Sequence, residues 1–447
     1  MPSPHHALRQ AGLCLLAALA TQVQAQSLTE LFDAARGYDA GYNAARAQFD
    51  ATLARSDQAR ANLRPTVGLQ SQLQRTEVSG NIDTVPYFRH PYGTWQNGIS
   101  LTQPLYRPGN VAAYEQGKRL LDQADAQLAL ADQDLIVRVS QAYFDVLAAE
   151  DNLQTVQAQK KAVEEQLASA KRNFEVGTAT ITDTREAQAR RDLVLSQEIA
   201  AGNDLQVKRL FLDQLVGRNG IQPRPLKPGL DLPALPSDRV DAWVESSREH
   251  PNVQLARTAL EIARLEVQKA EAGEKPTLDL NASYGYARNV DGSSLNPAST
   301  LSSRIYQGAV GITLNVPLYA GGALQGRIRE TLSLEDKARN DLEGAERGVA
   351  QATRSAFFGV VSGLSQVKAL EAAELSSQSA LEANQLGYQV GVRINIDVLN
   401  AQSQLYQTRR DLAQARYNVL VGGLRLRQAN GSLREEDLQA VNALLQP

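Results

Sequence analysis

Residues 277–286 have the sequence TLDLNASYGY, in which apolar or aromatic side chains alternate with small or polar ones. Successive side chains of a β-strand point to opposite faces, so this alternation predicts a strand with one apolar and one polar face. Three further stretches repeat the pattern. The four predicted strands lie at about residues 65–76, 95–105, 276–287 and 306–317.

Strands of this kind are typical of a membrane-spanning barrel, because a tilted strand of about 10 residues crosses a bilayer. The polar face carries mainly Gln, Ser, Thr and Asn, which suits a water-filled lumen, although a soluble β-sandwich also has alternating strands. Two stretches rich in Gly, Pro, Asn and Ser, Glu77 to Thr94 and Asn289 to Arg304, are predicted to be long outer loops. The candidates for an aromatic girdle beside them are Tyr87, Phe88, Tyr92, Trp95, Tyr284, Tyr286 and Tyr306.

Four strands leave two open edges in a single chain. In hydrocarbon each unpaired backbone group costs several kcal/mol, so other copies of the chain must supply the missing partners. A trimer gives twelve strands and a tetramer gives sixteen, and symmetry requires only that the ring closes.

The start of the chain has the pattern of a secretory signal. Arg9 precedes the apolar stretch Leu13 to Ala20, and VQA at 23–25 provides a small-residue cleavage site. Residues 1–25 contain the only methionine and the only cysteine, Cys14, so a mature chain of 447 − 25 = 422 residues has no disulfide or thiolate nucleophile. This segment predicts an exported protein.

Composition excludes several classes of protein. A mean hydropathy of −0.33, with no run of about 18 apolar residues after the signal, argues against a transporter built of apolar helices. His90 and His250 are isolated beside prolines and supply neither a metal centre nor an oriented catalytic base. A net charge of −3 and the lack of a Gly-rich phosphate loop argue against nucleic acid and nucleotide partners. We therefore expect no enzymatic activity, no cofactor and no metal.

An internal repeat organises the chain, since motifs recur at offsets of 211 to 214 residues. The first repeat spans residues 26–216 and the second residues 237–430. A proline-rich linker, residues 217–236, separates them and cannot be helical throughout. Residues 431–447 form a C-terminal segment, predicted to lie beside the linker at the equator of the helical part. Each repeat is predicted to run helix, strand, loop, strand, long helix, break, helix.

The long helices carry a heptad pattern. From Leu135 to Phe174, apolar residues recur at alternating steps of four and three, which predicts a left-handed coiled coil. The equivalent positions of the second repeat, Val349 to Tyr388, include Thr353 and Glu374 and are more polar. Either that helix faces a water-filled interior, which we favour, or the seam of the first repeat does not apply to the second.

Each long helix is predicted to turn back at a glycine, Gly177 or Gly391, before a short Thr- or Asn-containing turn. Asp183 and Asp397 then lie near a helix N-terminus, where an acid is favourable for the helix dipole. The second hairpin has Tyr388 and Arg393 where the first has Phe174 and Ala179. This asymmetry suggests a contact between the hairpins, with Asp183 as the natural partner of Arg393.

A set of motifs runs from the first long helix to the last and covers nearly all of the mature chain. They are QAYFDV (141–146), FEVG (174–177) with ITD (181–183), VPLYAGG (316–322), GYQVG (387–391) with DVL (397–399), and ARYN (415–418). In these motifs and their order, the chain resembles the TolC family of trimeric outer-membrane channel-tunnels.

The resemblance implies a membrane α+β fold, in which three protomers share a twelve-stranded β-barrel continuous with a long α-helical coiled-coil tunnel in the periplasm. In this family, coiled helices close the periplasmic end. Tyr388 and Arg393 match gating positions that tie the inner hairpin to its neighbours, and Asp183 matches their acidic partner. Asp397 matches an aperture-lining acid, whereas Asn400 stands where some members carry a second aspartate, so weaker cation binding is expected there.

The expected function is that of a non-enzymatic exit duct of the outer membrane, serving type I protein secretion or multidrug efflux. The expected partners are two further copies of the chain, a periplasmic adaptor (membrane fusion) protein, and an inner-membrane transporter of the ABC, RND or MFS type. The alternative is a periplasmic adaptor or scaffold with coiled-coil hairpins and no barrel. A third hypothesis is a secreted glycosidase with paired carboxylates, but no pocket-forming motif accompanies the Asp and Glu residues.

Overall fold

Two successive repeats of the same elements make up the chain in the computed structural model, which describes residues 25–82, 85–292 and 301–446. The predicted signal sequence, residues 1–25, lies outside the described residues except for Ala25. The described residues divide into two compact units. The hairpin unit contains residues 25–45, 128–251 and 346–446, and the sheet unit contains residues 46–82, 85–127, 252–292 and 301–345.

The first repeat consists of α1 (Leu28–Tyr38), α2 (Ala40–Ala61), β1 (Thr66–Ile82), β2 (Val85–Tyr106), α3 (Pro108–Glu175) and α4 (Ile181–Val216). The second consists of α5 (Val240–Ser246), α6 (Pro251–Glu271), β3 (Thr277–Val290), β4 (Ser303–Asn315), α7 (Ala323–Gln389) and α8 (Asn395–Ala429), and α9 (Glu435–Asn442) follows. The two repeats thus have the same order of elements, and the internal repeat predicted from the sequence is confirmed. No helix among those described is both long and apolar enough to cross a membrane.

The sheet unit contains one antiparallel four-stranded sheet with the order β1-β2-β3-β4. Its register places Leu101 beside Ala282 and Ser100 beside Ser283, so like side chains line up across the strands. On the polar face, the Thr102 hydroxyl donates to Asn281 Oδ1 at 3.2 Å. Polar and apolar residues are therefore separated between the two faces, as the sequence alternation predicts.

The apolar face of the sheet is exposed in the single chain. Leu73 is 82% exposed and Val310 is 79% exposed, and other large apolar side chains on this face are also open. A soluble β-sandwich would cover such a face with a second sheet, but the strands of the described residues form one sheet only. The sandwich alternative therefore does not describe this fold.

The first strand pair is longer than the sequence predicts. The loop expected from Glu77 to Thr94 is wrong, because β1 continues to Ile82 and β2 begins at Val85, with Glu77 opposite Pro91. Gly93 is the first residue of β2 that pairs with β3, so the part of β2 before Gly93 pairs only with β1. Proline is tolerated in such a two-stranded ribbon because its missing N–H can fall on the free edge. Of the second predicted loop, residues 293–300 lie outside the described residues.

The heptad seam of α3 is confirmed in the hairpin unit, where α3 packs against α4. Its apolar positions from Leu135 to Ala170 are buried, except for the half-buried Leu153. Phe174, at the end of the seam, is 43% exposed. Val156 and Val163 form a cluster with Val194 of α4. The pattern of apolar residues in α3 thus identifies the face that packs in the helical hairpin.

The register transferred to α7 is also correct, because the equivalent positions from Val349 to Tyr388 are buried or half-buried. Thr353 is fully buried on this seam, and its hydroxyl lies 2.9 Å from the carbonyl oxygens of Val349 and Ala429. A polar residue is therefore accommodated there by hydrogen bonding. The explanation that the register fails is wrong, and a water-facing surface on this helix stays a prediction.

The linker crosses the hairpin unit without forming a helix. Gly217 ends α4 with a φ of 72°, and the chain then passes the buried Tyr143 of α3. The hydroxyl of Tyr143 accepts a hydrogen bond from the Arg224 N–H at 2.7 Å. Burial raises the pKa of Tyr143 above its usual range, so the phenol keeps its proton and donates to the Arg224 carbonyl oxygen at 3.0 Å.

Asp39, between α1 and α2, anchors α1 to α3 through an ion pair with Arg138, in which Nη1–Oδ2 and Nη2–Oδ1 are 3.0 and 3.1 Å apart. Hydrogen bonding to Arg138 lowers the pKa of Asp39 below its ordinary 3.8. We expect Asp39→Asn to lower the free energy of unfolding by about 1–3 kcal/mol, measured by thermal or denaturant unfolding monitored by circular dichroism.

The contribution of Asp39 should be complete above pH 3.8 and should be lost as pH falls through the lower folded-state pKa. The matched control is Asp134→Asn, because Asp134 also contacts Arg138 but its side chain is 57% exposed. We expect the control to change stability by no more than about 0.5 kcal/mol. Equal losses in the two variants would contradict an anchoring role for Asp39.

Candidate functional site at the hairpin tips

The two helical hairpins of the hairpin unit turn with the same backbone geometry. In the first hairpin (α3 and α4), the Thr178 N–H donates to the Asn173 carbonyl at 2.8 Å, and in the second (α7 and α8), the Val392 N–H donates to the Gly387 carbonyl at 2.9 Å. Gly177 and Gly391 have φ values of 78° and 81°, which glycine adopts without a steric penalty. The different side chains on the two turns therefore decide how the tips differ.

The helix that follows the first turn has a capping box. Thr180 Oγ1 accepts from the Asp183 N–H at 3.3 Å, and Asp183 Oδ2 accepts from the Thr180 N–H at 2.9 Å. The second turn has Ile394 at the equivalent position, which provides no side-chain cap. Asp183 thus has the structural role at a helix N-terminus that its position in the sequence indicates.

Arg393 pairs with Asp397 of its own hairpin, with Nη1 3.7 Å from Oδ2. Within the chain, the ion-pair partner of Arg393 is thus Asp397 rather than the predicted Asp183. The physical reason is local, because Arg393 and Asp397 are one helical turn apart and the Asp183 carboxylate is already held in the cap. A contact between Arg393 and Asp183 of a neighbouring copy stays a prediction.

Gly387, near the end of α7, leaves the space that the Arg393 side chain occupies. A Cβ added at Gly387 would lie 2.7 Å from Arg393 Cγ and 3.3 Å from Arg393 Cβ. These are the stem atoms nearest the backbone, so any side chain at 387 would force Arg393 into a different position. The missing side chain at 387 is therefore a condition for the observed arrangement of Arg393.

Tyr388 connects the two hairpins. Asn173 of α3 donates from Nδ2 to the Tyr388 hydroxyl at 3.4 Å. Asn400 makes a second connection, because Arg190 of α4 donates from Nη2 to Asn400 Oδ1 at 3.0 Å. Of the five predicted site residues, these two therefore contact the opposite hairpin through their side chains.

Apolar and polar contacts alternate where the hairpins meet. Leu399 of α8 is fully buried in a cluster with Leu167, Ala170 and Ala187 of the first hairpin. Toward the turns, a cleft of about 1000 Å³ lies between the hairpins and is lined by Asp183, Tyr388 and Arg393 among mainly polar residues. The structure thus brings the three predicted gating residues to one cleft, while the roles of Asp397 and Asn400 at an aperture stay predictions.

Several residues of this site were missed from the sequence, namely Gln166, Asn173, Gly387 and Asn395. Asn395 is fully buried and contacts both helices of the first hairpin. The signal was available in the repeat, because Asn395 and Gly387 stand where the first repeat has Ile181 and Asn173. A comparison of the two tips over every position would have selected them.

The described residues contain no group of three or more His, Cys, Asp or Glu side chains placed to hold a metal ion. His250 is buried, and its Nε2 lies 3.1 Å from the Gln428 carbonyl oxygen. Burial lowers the pKa of His250, which favours the neutral ring in the folded state. Burial and this contact indicate a structural role for His250 in the hairpin unit.

An amphipathic sheet with an exposed apolar face, in the same chain as two long helical hairpins, defines a protomer of an outer-membrane channel-tunnel. The family model described as outer membrane efflux protein matches residues 33–218 and 244–432, and the chain belongs to that family. It is an outer-membrane exit duct for secretion or efflux, so the predicted fold class and localisation are confirmed.

Individual relatives agree with this assignment. The chain is 33% identical to the outer membrane protein TolC of Vibrio cholerae over 430 residues, which covers 96% of each chain. It is 32% identical to the alkaline protease secretion protein AprF of Pseudomonas aeruginosa, covering 79% of this chain and 73% of the relative. Among solved structures, the outer membrane protein VceC of Vibrio cholerae has a TM-score of 0.74 at 21% identity, covering 90% of this chain and 96% of that one, and supports the fold.

Proposed function

We propose that this protein is a non-enzymatic duct that opens and closes at the tips of its helical hairpins. Three copies contribute four strands each to a twelve-stranded barrel, and their helices form a tunnel in the periplasm. The tunnel docks with a periplasmic adaptor and an inner-membrane transporter of the ABC, RND or MFS type, which supplies the energy. The name of AprF, a protease secretion protein, supports protein secretion as one use of such a duct.

The observation that carries the proposal is the division of the sheet into two faces. Val310, Ile312 and Leu314 of β4 are 79%, 64% and 63% exposed on the apolar face. Burying this face in lipid removes it from water, and the opposite polar face then lines a wet bore. The open edges at β1 and β4 support a barrel shared between copies, because unpaired strand edges are not tolerated in lipid.

Contacts at the tips support a gate in this duct. The Tyr388 hydroxyl and the Asn400 amide each join the second hairpin to the first. Separating the hairpins would break these bonds, so they favour the closed arrangement. An adaptor that binds the separated arrangement more tightly would shift the population toward the open duct.

Capture of partners from native membranes tests the proposed function. Lysine-reactive crosslinking followed by purification of this protein should recover an adaptor and an inner-membrane transporter in one complex with it. The purified protein should also form channels in planar lipid bilayers and migrate on gels as a heat-modifiable oligomer. A protein that forms no channel and is recovered from the periplasm without detergent would contradict the proposal and favour a soluble scaffold.

A further inference from the structure

Asn395, the first residue of α8, is a fully buried polar side chain at the contact between the hairpins. Gln166 of α3 donates from Nε2 to Asn395 Oδ1, and Asn395 donates from Nδ2 to the Asp183 carbonyl oxygen of α4 at 3.2 Å. One amide group thus connects the second hairpin to both helices of the first.

The orientation of the Asn395 amide follows from its partners. The Asp183 carbonyl oxygen can only accept a hydrogen bond, so the amide nitrogen must face it. The amide oxygen then faces Gln166, which donates to it. A side chain at 395 that lacks either the donor or the acceptor would leave one of these partners without its hydrogen bond to this fully buried position.

The surroundings favour a specific role for this amide. Leu399, one helical turn further along α8, is packed in the apolar cluster between the hairpins. The charged groups that line the adjoining cleft are Asp183 and Arg393, and the Tyr388 phenol is the other titratable group there. In the first hairpin the equivalent residue is Ile181, which is 49% exposed. Of the two hairpins, the second has a buried amide at this position and the first has a half-exposed isoleucine.

We propose that Asn395 is a positioning residue that latches the start of α8 onto the first hairpin in the closed duct. The inference rests on the proposed function and names a contact within each protomer on which gating depends. When the second hairpin moves away, the bonds to Gln166 and to the Asp183 carbonyl both break. The latch differs from the pair between Arg393 and Asp397, which lies within one hairpin and can persist during such a movement.

An Asn395→Asp variant tests the latch, because aspartate has nearly the same shape. When ionised, its carboxylate cannot donate to the Asp183 carbonyl and places a charge in a buried site. When protonated, it again has a donor and an acceptor. We expect the open fraction in planar bilayers to rise about tenfold or more at neutral pH and to return toward the wild-type value at mildly acidic pH.

Asn418→Asp is the matched control, since it makes the same change on α8, where the Asn418 amide oxygen accepts from Gln414 of the same helix. We expect Asn418→Asp to follow the wild-type pH profile. An Asn395→Asp profile identical to that of the wild type, or identical to that of the control, would overturn the latch.

Gln166→Glu provides a second variant if Asn395→Asp does not assemble. Gln166 is only partly buried, and an ionised glutamate there cannot donate to Asn395 Oδ1. The same pH-reversible opening is expected, and a wild-type profile for this variant would overturn the latch. Wild-type protein that forms no channel would contradict the proposed function, whereas functional channels with unchanged variant profiles would contradict the latch alone.

Discussion

Val310→Arg is expected to prevent assembly of the protein in the outer membrane, whereas Ala309→Arg on the same strand is expected to be tolerated. Val310 is 79% exposed on the apolar face of β4 and lies beside Ala282. Ala309 lies beside Ser283 on the polar face. Arginine on the lipid side of a barrel costs about 2–4 kcal/mol near the bilayer midplane, and a symmetric assembly bears that cost in every copy.

The measurement is the amount of heat-modifiable oligomer in purified outer membranes, compared with the total protein made. Neighbouring residues on one strand make a matched pair because they share depth, strand and distance from the sheet edge. Normal assembly of Val310→Arg, or equal loss in both variants, would contradict the assignment of the apolar face to lipid.

The combination of Tyr388→Phe with Arg393→Ser is expected to raise the single-channel conductance of the closed duct. Removing the Tyr388 hydroxyl breaks its bond to Asn173 in the first hairpin. A hydrogen bond contributes about 1 kcal/mol, so three copies lose about 3 kcal/mol, which corresponds to roughly a hundredfold change in the closed-to-open ratio. Replacing Arg393 also removes the cation beside Asp397 and any contact it makes with a neighbouring copy.

Gly387→Ala tests the same end of the gate without changing a charged or hydrogen-bonding side chain. The new Cβ would collide with the stem of Arg393, so we expect a smaller rise in conductance than in the double variant. Gly344→Ala is the control, because Gly344 lies in the same helix, α7, and a Cβ there meets no atom within 4 Å. Planar-bilayer recordings of the closed state would contradict the account if the double variant conducts like the wild type.

The strands could be predicted from the sequence where both faces have different environments. Alternation identified residues 277–286 because one face is apolar and the other polar along the whole stretch. Alternation failed to identify Glu77 to Ile82 and Val85 to Thr94, because the side chains there do not alternate although the two segments pair with each other. Backbone pairing of β1 with β2 extends this hairpin without a pattern in the side chains.

The residues of the tip could be selected from the sequence, but their partners could not. A difference between the repeats identified Tyr388 and Arg393, and both line the cleft between the hairpins. The partner of Arg393 depended on a competition that sequence spacing does not decide, because Asp183 was also suited to capping its own helix. Asn395 was missed because a polar residue at a helix start is usually explained by the helix end itself.

The decisive measurement is the number of chains in the detergent-solubilised complex, since the described residues of one chain provide four strands and leave the edges at β1 and β4 unpaired. Native mass spectrometry of the protein extracted from outer membranes measures that number. We expect a complex of three identical chains. A single chain that stays stable in solution without detergent would rule out a barrel shared between copies.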